Sequence, residues 1–188
     1  MLPEQIKTYR DVITLKDGGR VLLRSMVPED YQGLLDFYSH TSADDMSFMR
    51  HNVKDPAVIK DWCNNLDYNK VLPILALVKD QVVGSASLQF FPGPKRHIAE
   101  VRLFLAKDFR QRGLGMKMTR AVIDIARKQN IRLLAAEVIA EKTKVVRAFE
   151  TMGFVSKSVL PDYFMLPDGD TCDVVFMILD LKPKDDDF

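Results

Sequence analysis

The sequence predicts a single α/β domain built around a mixed β-sheet. Two observations support this fold class: β-rich runs separated by short turns occupy the middle of the chain, and a strand, helix, strand, helix succession follows them. No internal repeat or Gly/Ser-rich linker divides the 188 residues, and a chain of this length buries roughly 70% of its surface on folding. We therefore expect one domain over residues 1–188, with an N-terminal extension at 1–19 and an acidic, frayed tail at 182–188.

Turn and cap residues mark the first elements. A turn signal over residues 16–19 precedes Arg20–Met26, which has the pattern of a strand. Proline is tolerated in a first helical turn, so Pro28 and the apolar spacing after it predict a helix over 28–39. Asp55-Pro56 repeats the start signal for a second helix. The stretch Ser39–Lys54 between these helices is expected to be a polar loop.

The later elements follow at short, regular intervals. Only Asp80-Gln81 separates two β-rich runs, which predicts a hairpin. A glycine-containing turn over 110–115 leads into a long helix that ends near Lys128. The expected spans are strands at 71–79, 82–91, 97–105 and 132–139, helices from the 110–115 turn to about 128 and at about 143–152, and late strands near 154–159 and 172–181.

The overall composition restricts the classes of partner and location. The 27 Lys and Arg residues nearly balance 26 Asp and Glu, and a net charge of +1 gives no global field for nucleic acid or an anionic membrane. Cys63 and Cys172 offer no metal-ligand spacing. The longest apolar run, Val71–Val78, is far shorter than the roughly 20 residues that span a bilayer, and no apolar signal segment is present near the N-terminus. We therefore expect a cytoplasmic protein without metal, nucleic-acid or membrane partners.

A basic turn between a strand and a helix carries the clearest functional signal. Such a turn directs backbone N–H groups and the positive end of the helix dipole at one place. Gly113 and Gly115 let the backbone approach an anion closely, and Arg110 and Arg112 add charge. The local charge over residues 107–120 is +4, from five cations and one anion: Lys107, Arg110, Arg112, Lys117 and Arg120 against Asp108. The turn is therefore a predicted anion site.

Two other phosphate-binding motifs fit this turn poorly. A P-loop needs Gly-Lys-Ser/Thr at the helix start, whereas this chain has Gly115-Met116-Lys117. A dinucleotide fingerprint needs a third glycine where Met118 stands, although Glu137 lies about 20 residues further on. A purely structural strand-to-helix turn is the remaining alternative to a ligand site.

The turn and its surroundings resemble the GNAT superfamily of N-acetyltransferases. Arg110-Gln111-Arg112-Gly113-Leu114-Gly115 is similar to the R/Q-x-x-G-x-G/A pyrophosphate loop of that family. Val21–Arg24 with Val27–Asp30 resembles its opening strand and helix, and Phe149–Phe154 its late helix and strand. More narrowly, the run from His97 to Phe154 is similar to the acetyltransferase domain of bacterial protein-lysine acetyltransferases, without the acyl-CoA-synthetase-like region fused to some of them. The resemblance implies a GNAT-like mixed, mostly antiparallel sheet flanked by helices, with splayed central strands.

The resemblance also implies a site for acetyl-CoA, or another acyl-CoA, as cosubstrate. The pantetheine amides are expected to pair with the backbone of one strand next to the splay, and the diphosphate to lie on the turn. Phe149 is expected to pack against the pantetheine or in the core. The full set of expected cosubstrate-binding residues is Leu103, Phe104, Leu105, Arg110, Gln111, Arg112, Gly113, Leu114, Gly115, Met116 and Phe149.

Glu100, on the same strand, is the candidate general base. Many family members carry a carboxylate there, and a lysine-like amine, whose pKa is near 10.4, cannot attack a thioester until it loses a proton. The competing interpretation is a surface acid paired with Arg102 or a neighbouring lysine. We expect direct acetyl transfer, without a covalent enzyme intermediate, to a primary amine, either a protein lysine or a small amine.

One departure from the family pattern keeps a second function open. Phe149 stands where many members have a tyrosine thought to protonate the leaving thiolate, and phenylalanine has no proton to give. A non-catalytic acyl-CoA-binding or sensor module is therefore the alternative to an enzyme, and Tyr163 is a candidate substitute donor. Four loop acids near the expected acceptor entrance either attract a cationic amine or are simply solvated: Asp44, Asp45, Asp162 and Asp168.

Overall fold

The computed structural model describes residues 6–181, so the expectation for the tail at 182–188 lies outside the described residues. The strands are β1 (Arg10–Thr14), β2 (Arg20–Ser25), β3 (Val71–Val78), β4 (Gln81–Phe90), β5 (Ile98–Leu105), β6 (Leu133–Ile139), β7 (Val155–Met165) and β8 (Thr171–Asp180). The helices are α1 (Tyr31–Ser39), α2 (Ala43–Met46), α3 (Pro56–Asn64), α4 (Leu114–Lys128) and α5 (Thr143–Thr151), and short 3₁₀ helices cover Pro28–Asp30, Gly93–Lys95 and Lys107–Phe109.

The strands form one mixed sheet with the order β1-β2-β3-β4-β5-β6-β8-β7. In the sheet that residues 6–181 form, β5 and β6 run parallel and the other neighbouring pairs are antiparallel. The predicted hairpin is the β3–β4 pair, which turns at Lys79 and Asp80 with positive φ angles. The mixed, mostly antiparallel sheet predicted from the sequence is confirmed.

Helices cover both faces of the sheet. Side chains of β3 alternate between two buried cores. Ile74 and Ala76 belong to the first core, and Leu75 and Leu77 belong to the second core on the other face of the sheet. α4 packs in the first core through its buried stripe, which includes Met118, Val122 and Ala126. α1 and α3 pack in the second core through Leu34, Phe37, Tyr38, Ile59 and Cys63.

The parallel pair at the centre of the sheet separates after a short contact. Within the described residues, β5 pairs with β6 only where Ile98–Glu100 lies beside Leu133–Ala135. β5 continues to Leu105 against β4, while β6 continues to Ile139 against β8. An opening between the two strands therefore begins at Glu100. The predicted splay of the central strands is confirmed.

The strand β1 and the helix α2 lie where the sequence predicted no strand or helix. β1 falls inside the expected N-terminal extension and pairs with β2 along its whole length. Its side chains are mostly exposed, so no buried face marks it in the sequence. α2 interrupts the expected polar loop 39–54; it begins after Ser42, whose hydroxyl accepts a hydrogen bond from the Asp45 backbone N–H.

The late strand β7 is longer than predicted. It runs to Met165 rather than to about Val159, and most of its side chains are exposed. Register shifts between Ser156 and Ser158, and between Leu160 and Phe164, interrupt its pairing with β8. These irregularities break the two-residue periodicity on which strand prediction depends.

Candidate active site

A cleft opens where β5 and β6 diverge. Its volume is about 1170 Å³. Its walls come from β4, β5, β6, α3 and α5, and from the segment 42–53, which we call the connecting segment. Glu100 and the predicted cosubstrate-binding residues all line this cleft, except Arg112 and Leu114. The structure thus brings Glu100 and most of the predicted anion-binding turn to one cavity.

One end of the cleft is formed by residues 110–116, which we call the glycine loop. Gly113 precedes the first residue of α4 with φ of +86°, a left-handed conformation that glycine adopts without steric cost. A Cβ atom on Gly115 would lie 3.2 Å from Leu103 Cδ2 and 3.3 Å from Leu105 Cδ1. Glycine at this position therefore lets the start of α4 pack closely on β5. The backbone N–H groups of that first turn have no intrahelical acceptor.

Arg110 is held within the wall of the cleft. Its guanidinium donates to the Leu105 carbonyl at 3.0 and 3.1 Å and to the Asp45 carboxylate at 2.8 Å. Partial burial raises the pKa of Asp45, but hydrogen bonds from Arg110 and Ser42 outweigh this and hold that pKa below its usual value. Of the four loop acids considered from the sequence, Asp45 is the one that lines the cleft. Its contact is with a cation of the protein itself.

Arg112 and Leu114 are not brought into the cleft. Arg112 donates to Asp17 Oδ2 at 2.6 Å and lies over the Phe109 ring, with Cζ 4.8 Å from the ring centroid. This hydrogen bond lowers the pKa of Asp17. Leu114 is fully buried in the first core, so only its backbone is available to a ligand.

Lys16, which the sequence analysis did not single out, lies beside the glycine loop. Its backbone N–H donates to the Arg112 carbonyl at 3.3 Å. A Cβ atom on Gly113 would lie 3.3 Å from Lys16 Cγ. The exposed side chain lines the cleft, and within residues 6–181 its ammonium has no carboxylate partner. The turn between β1 and β2 thus adds a cation to this end of the cleft.

The other end of the cleft contains Glu100, at the point where β5 and β6 separate. Glu100 is only 6% exposed. Its Oε1 accepts a hydrogen bond from Arg102 Nε at 2.9 Å and one from Arg50 Nη2 at 2.7 Å. The pairing with Arg102 expected for a surface acid is present, but the carboxylate is buried in the cleft wall.

Arg50 connects two carboxylates. Its Nη2 also donates to Glu137 Oε2 at 2.7 Å, and Glu137 Oε1 lies 3.4 Å from the Tyr163 hydroxyl. Glu137 is on β6, so one side chain from the connecting segment bridges the two diverging strands. We call Arg50, Glu100, Arg102 and Glu137 the carboxylate cluster. Its formal charge is zero, from two carboxylates and two guanidinium groups.

Aromatic side chains complete the walls between the two ends. Phe149 lines the cleft but is buried in the first core, with its ring 4.9 Å from that of Phe154 in an edge-to-face contact. Tyr38 stacks on Phe104, with centroids 5.7 Å apart. Burial raises the pKa of Tyr38 to about 12, against a smaller opposing effect of its hydrogen bond with Ser85. Tyr38 therefore keeps its proton at neutral pH.

Two further observations concern metals and membranes. Among residues 6–181, no group of three or more His, Cys, Asp or Glu side chains is arranged to hold a metal ion. No helix in the same part of the chain has the length and apolar character needed to cross a bilayer.

The family assignment follows from a comparison with known protein families. A model described as "Acetyltransferase (GNAT) family" matches residues 34–154. The chain belongs to the GNAT acetyltransferase family. The matched range runs from α1 to the end of α5 and therefore includes both ends of the cleft. This confirms the resemblance carried by the glycine loop and its neighbours.

Solved GNAT structures share the fold over most of both chains. The GNAT domain of PAT from S. lividans has a TM-score of 0.76 at 19% identity, covering 96% of this chain and 99% of that one. A ribosomal-protein-alanine N-acetyltransferase from Brucella melitensis has a TM-score of 0.74 at 23% identity, with coverage of 84% and 98%. The yncA protein from Salmonella typhimurium, solved with acetyl-CoA, gives 0.75 at 18% identity, with coverage of 89% and 98%. At these identities the similarity shows the fold.

Sequence reasoning missed three residues of this GNAT cleft. Glu137 had a detectable signal, because it is a lone carboxylate in the otherwise apolar strand β6, as Glu100 nearly is in β5. Arg50 lies in the segment that was expected to be a loop, and it belongs to no motif there. Lys16 belongs to a turn that the sequence identified only as a turn.

Proposed function

We propose that this GNAT protein transfers the acetyl group of acetyl-CoA directly to a primary amine, with Glu100 as the general base. The observation that carries the proposal is the position of Glu100, which is buried in the wall of the cleft at the residue where β5 and β6 separate. Family membership and the acetyl-CoA bound to a structural neighbour support acetyl-CoA as the cosubstrate.

The residues along the cleft fit such a cosubstrate. The edge of β5 that faces away from β4 is unpaired with β6 beyond Glu100 in the described residues, so the backbone of Leu103 and Phe104 can pair with pantetheine amides. The Leu105 carbonyl already accepts from Arg110. The glycine loop provides N–H groups of the first turn of α4 for the diphosphate. Lys16 supplies an additional positive charge at that end.

Bound acetyl-CoA supplies an activated acetyl thioester. The amine nitrogen attacks the thioester carbonyl carbon, so that a C–N bond forms, the C–S bond breaks and coenzyme A leaves with the sulfur electron pair. Glu100 accepts the proton that the amine must lose. Both guanidinium groups donate to the Glu100 carboxylate and fix its orientation toward the cleft. The acceptor is a small amine or the side chain of a protein lysine.

The leaving group needs no tyrosine at position 149. A thiol with a pKa near 8.5 leaves as a tolerable thiolate, and solvent that enters the open cleft can protonate it. Tyr163 is 50% exposed and its hydroxyl lies at Glu137. It is therefore a weaker candidate for the donor than water.

The test combines release of thiol from acetyl-CoA with the Glu100→Gln variant. The panel contains small amines, polyamines and lysine peptides. Glu100→Gln preserves volume but cannot accept the proton, so the transfer rate is expected to fall by about 10²–10⁴ while acetyl-CoA affinity changes little. The deficit narrows as pH rises toward the pKa of the amine, because more acceptor then arrives deprotonated. Glu150→Gln, on the exposed surface of α5, is the matched control.

Each alternative has a distinct outcome. Wild-type rates in Glu100→Gln would make Glu100 a structural acid. Loss of acetyl-CoA binding together with activity would mean that it supports the fold or the cosubstrate. Binding of acetyl-CoA without transfer to any amine would favour the non-catalytic binding module.

A further inference from the structure

The carboxylate cluster contains a guanidinium whose donors are only partly used. Arg50 makes its hydrogen bonds to Glu100 and Glu137 through Nη2 alone. Its Nε and Nη1 atoms carry three more N–H donors, and these have no acceptor within residues 6–181. The side chain is 41% exposed and lines the cleft. An anionic group that enters the cleft therefore meets free guanidinium donors beside Glu100.

The charge balance of the cluster restricts what can join it. A cationic amine alone would add an uncompensated charge to two largely buried carboxylates that already have guanidinium partners, and desolvating such a charge is costly. A molecule with one ammonium and one carboxylate adds no net charge. Its ammonium can lie against Glu100 or Glu137, and its carboxylate can accept from Arg50.

We infer that the acceptor carries a carboxylate close to its amine, as an α-amino acid does, and that Arg50 binds this carboxylate. Arg50 Nη2 lies 2.7 Å from Glu100 Oε1, so groups bound to these two side chains are within a few ångströms of each other. In an α-amino acid one carbon separates the amine from the carboxylate. In a lysine side chain or a polyamine no carboxylate is that close. The inference rests on the proposed acetyl transfer and names the substrate class of the same site.

The experiment compares each amino acid with its own primary amide. The two share the side chain and the amine, and differ in whether an anion is present for Arg50. We measure kcat/KM with acetyl-CoA for a panel of L-amino acids and their amides. The best amino acid is expected to exceed its amide by about tenfold or more, the effect of a charge-assisted contact. The amide amine is the less basic of the two, so its larger deprotonated fraction works against this result.

Two substitutions at position 50 separate binding from effects on Glu100. Arg50→Gln is expected to reduce the acid-to-amide ratio of kcat/KM by about 10- to 100-fold, and Arg50→Lys by less because the charge remains. Any change in Glu100 affects acid and amide alike and cancels in the ratio. Arg127→Gln is the matched control, since Arg127 is an exposed arginine paired with Asp124 on α4. The acetyl-CoA-induced rise in Tm verifies that each variant is folded.

Three results would overturn the inference. In the first, wild-type protein uses amides as well as amino acids. In the second, Arg50→Gln lowers both by the same factor, which would make Arg50 a positioning residue for Glu100. In the third, lysine peptides or polyamines react faster than every amino acid; acetyl transfer then stands and only the substrate class is wrong. If acetyl-CoA binds but no amine is acetylated, the proposed function itself fails.

Discussion

The two ends of the cleft are built in different ways. The glycine loop is one continuous stretch, and its arginines are engaged elsewhere, Arg110 with Asp45 and Arg112 with Asp17. It offers the cleft backbone N–H groups and space. The carboxylate cluster instead gathers charged side chains around Arg50 from positions 50 and 87 residues away in the chain. The glycine loop should therefore be sensitive to added bulk or negative charge, and the cluster to the loss of a single charged group.

The largest effect on cosubstrate binding is expected from Gly113→Asp. A residue other than glycine is strained at this positive φ. The aspartate carboxylate also repels the diphosphate, and such a like-charge contact costs several kcal/mol. Acetyl-CoA affinity should fall more than about 100-fold. The acetyl-CoA-induced rise in Tm should largely disappear as a consequence.

Gly169→Asp is the control for backbone strain and charge. Gly169 also has a positive φ, of +93°, and apart from its two chain neighbours no atom of residues 6–181 lies within 4 Å of the position of its Cβ. It is in the turn between β7 and β8, away from the cleft lining. This variant should keep the full Tm response. If folded Gly113→Asp keeps the full acetyl-CoA-induced rise in Tm, the cosubstrate does not bind at the glycine loop.

The same contrast explains how far the sequence could predict the site. The β5 strand, the turn and α4 follow one another directly, so local signals such as the Gly113–Gly115 spacing were sufficient to predict the loop. The hairpin and the order of later elements were predictable for the same reason. Arg50 acquires its role only when the fold brings the connecting segment over the divergence of β5 and β6. Its own neighbourhood in the sequence contains no signal of that contact.

The structure pairs both arginines predicted at the glycine loop with carboxylates, and it adds the cation Lys16 beside the loop. The sequence shows that Arg110 and Arg112 are next to the glycines, but it does not show that Asp45 and Asp17 lie within hydrogen-bond distance of them. β1 was not predicted either, because its exposed side chains lack a buried face. Without β1 there was no reason to place Lys16 near Gly113.

The second prediction uses Lys16→Ala to test whether Lys16 contributes to acetyl-CoA binding. Because the Lys16 ammonium has no carboxylate partner in residues 6–181 and lines the cleft, its loss should weaken acetyl-CoA binding by about 3- to 10-fold at low salt. The screening length for charge interactions in water is about 10 Å at 0.1 M salt and becomes shorter as salt is added. The loss should therefore shrink as salt is raised. Calorimetric titration at two salt concentrations measures both effects.

The third prediction uses Arg112→Ala as the matched comparison. It removes one positive charge from the same end of the protein, but that charge is already paired with Asp17 and does not line the cleft. Acetyl-CoA affinity should change less than about threefold, because a screened, exposed pair contributes little. If Arg112→Ala lowers acetyl-CoA affinity more than Lys16→Ala does, then Arg112 rather than Lys16 contacts the phosphates.

The smallest expected effect concerns Asp45, which ties the connecting segment to the glycine loop. Its pKa is lowered in the folded protein, so its carboxylate stabilises the fold at pH values above the unfolded pKa, near 3.9. That contribution is lost as pH falls through the folded pKa. Asp45→Asn should lower Tm by about 1–3 °C at neutral pH, as for a partly exposed pair worth up to about 1 kcal/mol. The difference from wild type should vanish in acid.

Asp44→Asn is the control, because Asp44 is the exposed neighbour of Asp45 on α2 and has no side-chain partner among residues 6–181. Its Tm should follow that of the wild type at every pH.

The same two variants, Asp45→Asn and Asp44→Asn, show whether the two ends of the cleft are independent. Asp45→Asn loosens the connecting segment that also carries Arg50, yet the separate contacts of Arg50 with Glu100 and Glu137 remain. The acid-to-amide ratio should therefore stay at its wild-type value. A ratio that falls in Asp45→Asn but not in Asp44→Asn would mean that the glycine loop sets the position of Arg50.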